Sequence, residues 1–372
     1  MELHIVTFNV PYPPDYGGVI DVFYKIKALK EAGVGIHLHT YQYGREKAEQ
    51  LQEYCSTVNY YKRKSGLKYY FQKIPFIVAT RDNETLIDNL KKDNFPILYE
   101  GLHTTFPIFS NSIEPSRVQI VRSHNIEHNY YNGLASLDDN IIKKIYHHTE
   151  ALKLKPYEKV LEKATGIAAI SNNDALYLNQ EYGKTILVSA FHRFENMSQH
   201  TGYGDYCLYH SDLSVIENHQ VAEFLINKVF KDLNFKLIIA GRNPSPSLFK
   251  MVKNTENVSL FSNLSREYLD KLIQEAQINI LPVFFSNGIK LKLLSALFQG
   301  RHCLVNTPMI EGTGLESLCH VANTEMEFVE KIIKLMFTMF DEREMDRRKK
   351  ILEEDFSNSE NANRLISFIE KQ

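Results

Sequence analysis

The sequence predicts an α/β protein of two Rossmann-like, doubly wound parallel-sheet domains facing a cleft. Three observations carry this expectation. Short apolar runs of strand length alternate with stretches of helical periodicity, an order that favours a parallel sheet covered by helices. The alternation breaks once, at 190–205 (AFHRFENMSQHTGYGD), a polar stretch with the composition of a linker. The 372 residues are enough for two domains, at a prior of about 150 residues each.

In the first half, strands are expected at 3–10 (LHIVTFNV), 35–41, 95–100, 119–125 (QIVRSHN) and 166–171, with helices at 19–32, 83–92, 140–163 and 173–181. In the second half, strands are expected at 206–211, 236–242, 257–262, 278–284 and 302–306, with helices at 215–229, 246–253, 265–276, 288–299 and 325–342. A polar, helix-prone tail follows at 343–372. The chain thus divides into an N-terminal domain at 1–195, a C-terminal domain at 196–345 and a final helix at 346–372. Doubly wound sheets bind ligands beyond the carboxyl ends of their strands, where the strand order reverses. Two such sheets make the cleft between them the natural site.

Composition narrows the function classes. Hydrophobic residues at 44% and charged residues at 24% are ordinary for a soluble globular protein. A net charge of -2 argues against nucleic acid as a partner. Cys55, Cys207, Cys303 and Cys319 lie far apart, with neither metal-ligand spacing nor a disulfide framework. The start, MELHIVTFNVPYPP, lacks the plan of a signal peptide, and no apolar run reaches the ~18 residues of a membrane helix. The expected setting is cytoplasmic. One segment stands out: 59–76 (NYYKRKSGLKYYFQKIPF) holds five cations, six aromatics and no acid. It reads either as a peripheral contact with an anionic membrane or as a solvated loop with buried tyrosines.

Helix 288–299 poses the sharpest question. Ser286 or Asn287 can cap it and Gly300 can end it. Lys290 and Lys292 lie in its first two turns, where the helix dipole disfavours cations. No Asp or Glu occurs from 276 to 310. A diphosphate at the helix start would answer both charges; one snorkelling and one solvated lysine is the other reading. Gly17 and Gly18, between a strand and a helix, permit close backbone approach to a phosphate, or simply a turn. His124, Asn125, Glu127 and His128 follow a strand end, where a cleft residue belongs; histidine there can exchange protons or hold sugar hydroxyls. A helix cap with surface histidines is the alternative, and no third ligand completes a metal site. Arg242 ends a strand and either binds phosphate or caps its loop.

Taken in order, PYPPDYGGVIDVFYKIKALKEAG (11–33), RSHNIEHNYY (122–131) with LKLKPYEKVLEKATGIAAISNND (152–174), KLIIAGRNP (236–244), and FFSNGIKLKLLSALFQGRHCLVN (284–306) with EGTGLE (311–316) and ANTEMEFVEKI (322–332) resemble the GT-B glycosyltransferases, particularly family 4, glycosyltransferase group 1. The resemblance implies a nucleotide-sugar donor held by the second domain and a glycan or lipid-linked acceptor held by the first. It implies sugar transfer with retention, as in surface polysaccharide synthesis, with no metal and no cofactor besides the donor. His124, His128, Lys290 and Lys292 would act in catalysis. Gly17, Gly18, Arg242, Asn287, Gly288, Ser295, Glu311 and Gly312 would bind the donor, with Asn125 and Glu127 on the acceptor side. The final helix would cross back to the first domain. The family commonly has two glutamates eight positions apart where this chain has Asn287 and Ser295. A non-catalytic relative serving as a binding or assembly subunit is therefore the alternative. A Rossmann oxidoreductase is disfavoured, since no G-x-G-x-x-G follows the first strand.

Overall fold

The computed structural model describes all residues except 139, 199 and 285–290. The chain divides into two units, one formed by 1–193 with 355–372, the other by 194–284 with 291–354.

The first unit is built on a parallel sheet of seven strands: β1 (Glu2–Thr7), β2 (Gly35–Gln42), β3 (Thr57–Lys62), β4 (Ile97–Glu100), β5 (Gln119–Ser123), β6 (Gly166–Ala169) and β7 (Thr185–Leu187), in the order β3-β2-β1-β4-β5-β6-β7. Successive strand side chains point to opposite faces. Leu3, Ile5, Leu38, Leu98, Ile120 and Ala168 pack on one face with Val22, Ile26 and Leu29 of helix Gly17–Glu31. Val6, Ile97, Tyr99, Val121 and Ile167 pack on the other with Leu86, Leu90, Leu154 and Tyr157. Burial on both faces is why these strands read as nearly unbroken apolar runs.

The second unit repeats the plan. Its strands are β8 (Tyr206–Asp212), β9 (Lys236–Arg242), β10 (Val258–Ser262), β11 (Ile278–Ile280), β12 (His302–Val305) and β13 (His320–Val321), all parallel, in the order β10-β9-β8-β11-β12-β13. Each sheet therefore reverses its strand order once, between β1 and β4 and between β8 and β11. Those are the positions where doubly wound sheets receive ligands. No helix among the described residues is long and apolar enough to cross a membrane.

The structure adds β3, β7, β13 and helix Glu127–Leu137 to the elements expected from sequence. It also revises two segments. The stretch 59–76 is not one loop. It begins within edge strand β3, where Tyr61 is buried and hydrogen-bonded to His39 at 2.8 Å. The tail is not one helix either, and the boundary expected at 345/346 falls near 354/355. Helix Glu342–Asp355 stays with the second unit because buried Arg348 donates to the carbonyls of Leu297 (3.2 Å), Gly300 (2.6 Å) and Arg301 (2.7 Å). After buried Phe356, Ser357 caps helix Asn358–Glu370. That helix delivers Ala362, Leu365 and Ile369 to the core beneath Leu3 and Ile26. Asn361 accepts the Ser189 amide at 3.2 Å.

Leu365 is fully buried in this core. Leu365→Ala should lower the unfolding free energy by about 2–5 kcal/mol. Glu370→Ala, at the exposed end of the same helix, should change it by less than about 0.5 kcal/mol. Urea titrations of both variants check this; equal midpoints would show that the helix is not part of the cooperative core.

Candidate functional site

At the first reversal point, the loop leaving β1 is fixed by Asn9. Its side chain accepts from the amides of Val10 (3.0 Å) and Tyr43 (3.2 Å) and donates to the Tyr16 hydroxyl (3.2 Å). Helix Gly17–Glu31 then begins with no side-chain cap and no acid in its first turn. The leading amides of a helix have no acceptor within it. A Cβ at Gly17 would meet open space, whereas one at Gly18 would lie 2.7 Å from the Phe8 ring. Glycine at 18 is thus what lets Phe8 sit against the helix start. The same ring meets His124 edge-on, centroids 5.7 Å apart, and lies 5.4 Å from His103.

Beneath this surface lies a buried charge network. Lys25 and Asp21, one turn apart on the buried face of the helix, are paired at 2.8 Å. Lys25 also pairs with Glu100 at the end of β4, at 2.9 Å. Arg122 of β5 donates to Asp21 (3.1 Å), to the Ser189 carbonyl (3.0 Å) and to the Val188 carbonyl. Asp21 accepts a third hydrogen bond from the Phe191 amide at 2.8 Å. Burial opposes charge on both carboxyls, but Arg122 and Lys25 hold Asp21 far below the usual carboxylate range. For Glu100, burial is likewise outweighed by Lys25 and by the hydrogen bond with His124. His124 Nε2 lies 2.8 Å from Glu100 Oε2, and its Nδ1 lies 3.9 Å from Asp21. Ligand atoms of Asp21, Glu100 and His124 fall within 4.8 Å of one another, yet Lys25 and Arg122 already supply the positive charge that a metal would bring there.

Glu127 and His128 belong to separate surroundings. Glu127 is buried, and its pKa is pushed up to about 8 by burial first, then by Asp174 and Glu158. His103 lies 3.9 Å from it; burial and then Arg81 drive the imidazole well below its ordinary value. At neutral pH this is a protonated carboxyl beside a neutral imidazole, an arrangement able to donate a proton. His128 is held at 3.0 Å by Glu158, which also accepts from Tyr177 (2.6 Å) and Tyr182 (2.9 Å). Asn125 lines a small cavity with Ser123, Ile126 and Glu158. The structure therefore brings Gly18 and His124 against Phe8, leaves Gly17 open at the helix start, reaches Glu127 through His103, and places His128 in a buried cluster with Glu158.

In the second unit, Lys292 is drawn in over the carboxyl end of β8. Its ammonium donates to Asn218 (3.2 Å) and Ser211 (3.4 Å) and lies 5.4 Å from the buried Tyr209 ring centroid. His210, on the same strand, is driven down to about 3 by burial, then by Lys292 and Arg266. Arg242, at the end of β9, pairs with Asp212 at 3.0 Å, so the strand-end arginine closes the β8–β9 edge. Ser295 is buried within helix Leu291–Gln299. Glu311 is exposed after the short turn Thr307–Ile310, and Gly312 takes a left-handed φ of 72°. Asn287, Gly288 and Lys290 lie outside the described residues.

Sequence reasoning missed Asp21, Lys25, Glu100 and Arg122. The signal was present: an i, i+4 acid–base pair on an otherwise apolar helix face, and charges set inside or at the end of apolar strands. It also missed His103 and Arg81, which donates to the Phe8 carbonyl at 2.9 Å.

No family model matches the chain. An uncharacterised 44.6 kDa protein in the cps region of Klebsiella pneumoniae is 26% identical over 353 residues, 89% of this chain and 90% of that one. Among solved structures, sucrose-phosphate synthase from Thermosynechococcus elongatus is similar with a TM-score of 0.70 at 12% identity, over 100% of this chain and 98% of the other. A variant of S. aureus TarM in complex with Fondaparinux, alpha-GlcNAc-glycerol and UDP gives 0.65 at 11% identity, over 99% of each chain. A glycosyltransferase from Rickettsia africae ESF-5 gives 0.65 at 14%, over 100% of this chain and 98% of its own. At these identities the likeness is one of fold, the two-sheet GT-B architecture that glycosyltransferases use.

The Glu127 shift predicts a pH dependence. The folded carboxyl keeps its proton up to about 8, against 4.5 for the free side chain. The contribution to stability is therefore full below the lower value and is lost as pH rises through the higher one. Glu127→Gln should flatten this fall, so that its urea midpoint gains on the wild type from pH 5 to 8. Parallel profiles for the two proteins would refute the raised pKa.

Proposed function

We propose that this chain is a glycosyltransferase that moves a sugar from a nucleotide-sugar donor to a glycan or lipid-linked acceptor during surface polysaccharide synthesis, in the cytoplasm and without a metal. The observation that carries the reading is the Lys292 ammonium held over the carboxyl end of β8, the edge at which a doubly wound sheet receives phosphates. A compact cation beside a helix start suits a diphosphate. The fold likeness to TarM, whose solved complex contains UDP, supports a nucleoside-diphosphate donor. The relative in a cps region supports the polysaccharide setting.

In this reading the second unit holds the donor, with Lys292, Arg242, Ser295, Glu311 and Gly312 around it. The first unit receives the acceptor, with Asn125 and Glu127 on that side. Lys292 stabilises the departing diphosphate, and the uncapped amides at Gly17–Gly18 favour negative charge at the switch point of their own sheet. His124, fixed by Glu100, donates a hydrogen bond to the transferring sugar. The chemistry is positioning and charge stabilisation, and transfer proceeds with retention.

Isothermal titration tests the phosphate role. Lys292→Ala should weaken binding of a nucleoside diphosphate by roughly tenfold to a hundredfold, the loss of a charge-assisted hydrogen bond, and should barely affect the bare nucleoside. Equal losses for both ligands would sink it. A nucleotide-release assay over UDP-, GDP- and ADP-sugars tests turnover. His124→Ala should slow release by about a hundredfold. Diphosphate binding without release from any donor would turn the assignment to the binding-subunit alternative.

A further inference from the structure

The first unit carries an apolar surface that neither its core nor its candidate site uses. Helix Ile141–Tyr157 buries Glu150, Ala151, Leu154 and Tyr157. Its opposite face is not polar. At about 100° per residue, Ile141, Ile145 and Leu152 lie within about 40° of one another, with Ile142 on the flank. Their exposures are 72%, 59%, 63% and 75%. Leu67 and Phe71, exposed by 75% and 86%, stand on the neighbouring segment.

That segment is fastened to the helix. Lys153 donates to the Tyr70 carbonyl and the Phe76 amide donates to Glu150, each at 2.6 Å. The Tyr70 ring stacks on Phe76 with centroids 3.9 Å apart and meets Tyr146 edge-on at 5.4 Å. Four large apolar side chains therefore stand exposed on the helix and two more on the segment fastened to it, more than soluble monomers usually leave uncovered.

Charge identifies the partner. Lys68 and Lys73 on the segment and Lys143, Lys144 and Lys155 on the helix are exposed. Glu150, the one acid of helix Ile141–Tyr157, is buried and committed to Phe76 and Lys153. A second copy meeting this face about a two-fold axis would set lysines against lysines. Apolar side chains flanked on the helix by Lys144 and Lys155, with Lys68 and Lys73 on the fastened segment, match instead the interface of an anionic bilayer, where acyl chains accept the first and headgroups the second.

We propose that this face docks the protein on an anionic lipid surface, with Leu67, Phe71, Ile141, Ile142 and Ile145 entering the interface and the flanking lysines meeting the headgroups. Of the sequence-expected membrane segment 59–76, only the part after β3 takes part, and the larger share comes from helix Ile141–Tyr157. Docking here would hold the first unit beside a lipid-linked acceptor, but the inference stands without the transferase reading.

Co-sedimentation of the full chain with vesicles, in the absence of any sugar donor, tests it. The wild type should bind vesicles of phosphatidylglycerol mixed equally with phosphatidylcholine, release in high salt, and ignore pure phosphatidylcholine. Phe71→Ser, a loop substitution, and the pair Ile141→Asp with Ile145→Asp should each lower the bound fraction about tenfold with unchanged circular dichroism. Absence of wild-type binding to the anionic vesicles, or undiminished binding by both variants, would overturn the proposal. So would lipid-free dimerisation of the wild type, by sedimentation velocity, that the same substitutions abolish.

Discussion

The first unit depends on four buried charges that cancel. Asp21 and Lys25 come from one helix, Glu100 from β4 and Arg122 from β5, and none is more than marginally exposed. Alone, any of them would carry a desolvation penalty of several kcal/mol. Together they balance two cations with two anions, and backbone groups at 188–191 fill remaining positions around Arg122 and Asp21. Such a set tolerates few alternative arrangements, so it fixes the helix against two strands and the returning chain against both. His124 inherits its orientation from Glu100, and the ring of Phe8 packs on His124 and Gly18 in turn. The geometry of the surface is set from below.

The two units share strand order but not chemistry. In the first, the ionic groups and the carboxyl of Glu127 are enclosed, and the helix start above them is uncapped. In the second, charge lies at the strand ends themselves: Arg242 is 44% exposed on its side chain and its pair with Asp212 is a surface pair. Exposed pairs of this kind contribute about 0–1 kcal/mol, so an incoming anion can rearrange them at small cost. One sheet end is held by buried ion pairs and the other by a surface pair.

How far the sequence discloses this follows from burial. Strands β1, β4, β5, β8 and β9 are covered on both faces, and their apolar runs were legible. Edge strand β3, with its TVNYYK sequence, has partly exposed side chains, and it disappeared into a stretch that looked like a loop. β7 and β13 hold three and two residues, too few for any period. Helix Glu127–Leu137 buries Glu127, His128 and Ala135, so its inner face carries no hydrophobic signal. Within the candidate site, His124, the glycine pair and Lys292 were legible because each sits just beyond a strand or at a helix start. The ion network was legible only in its Asp21–Lys25 pair, one helical turn apart; Arg122 and Asp21 are 101 positions apart, and no spacing rule pairs them.

The route of the chain has a consequence for biosynthesis. Helix Asn358–Glu370 completes a core whose other members all precede residue 192, whereas the second unit closes within 194–354. A ribosome therefore releases everything the second unit needs before it releases the last piece of the first. At about 5–20 residues per second, the nascent first unit waits on the order of ten seconds with Leu3, Ile5 and Val22 incompletely covered. The later-made half of the polypeptide is thus the one equipped to mature first, and the interval is when a holdase chaperone has a hydrophobic face to grip.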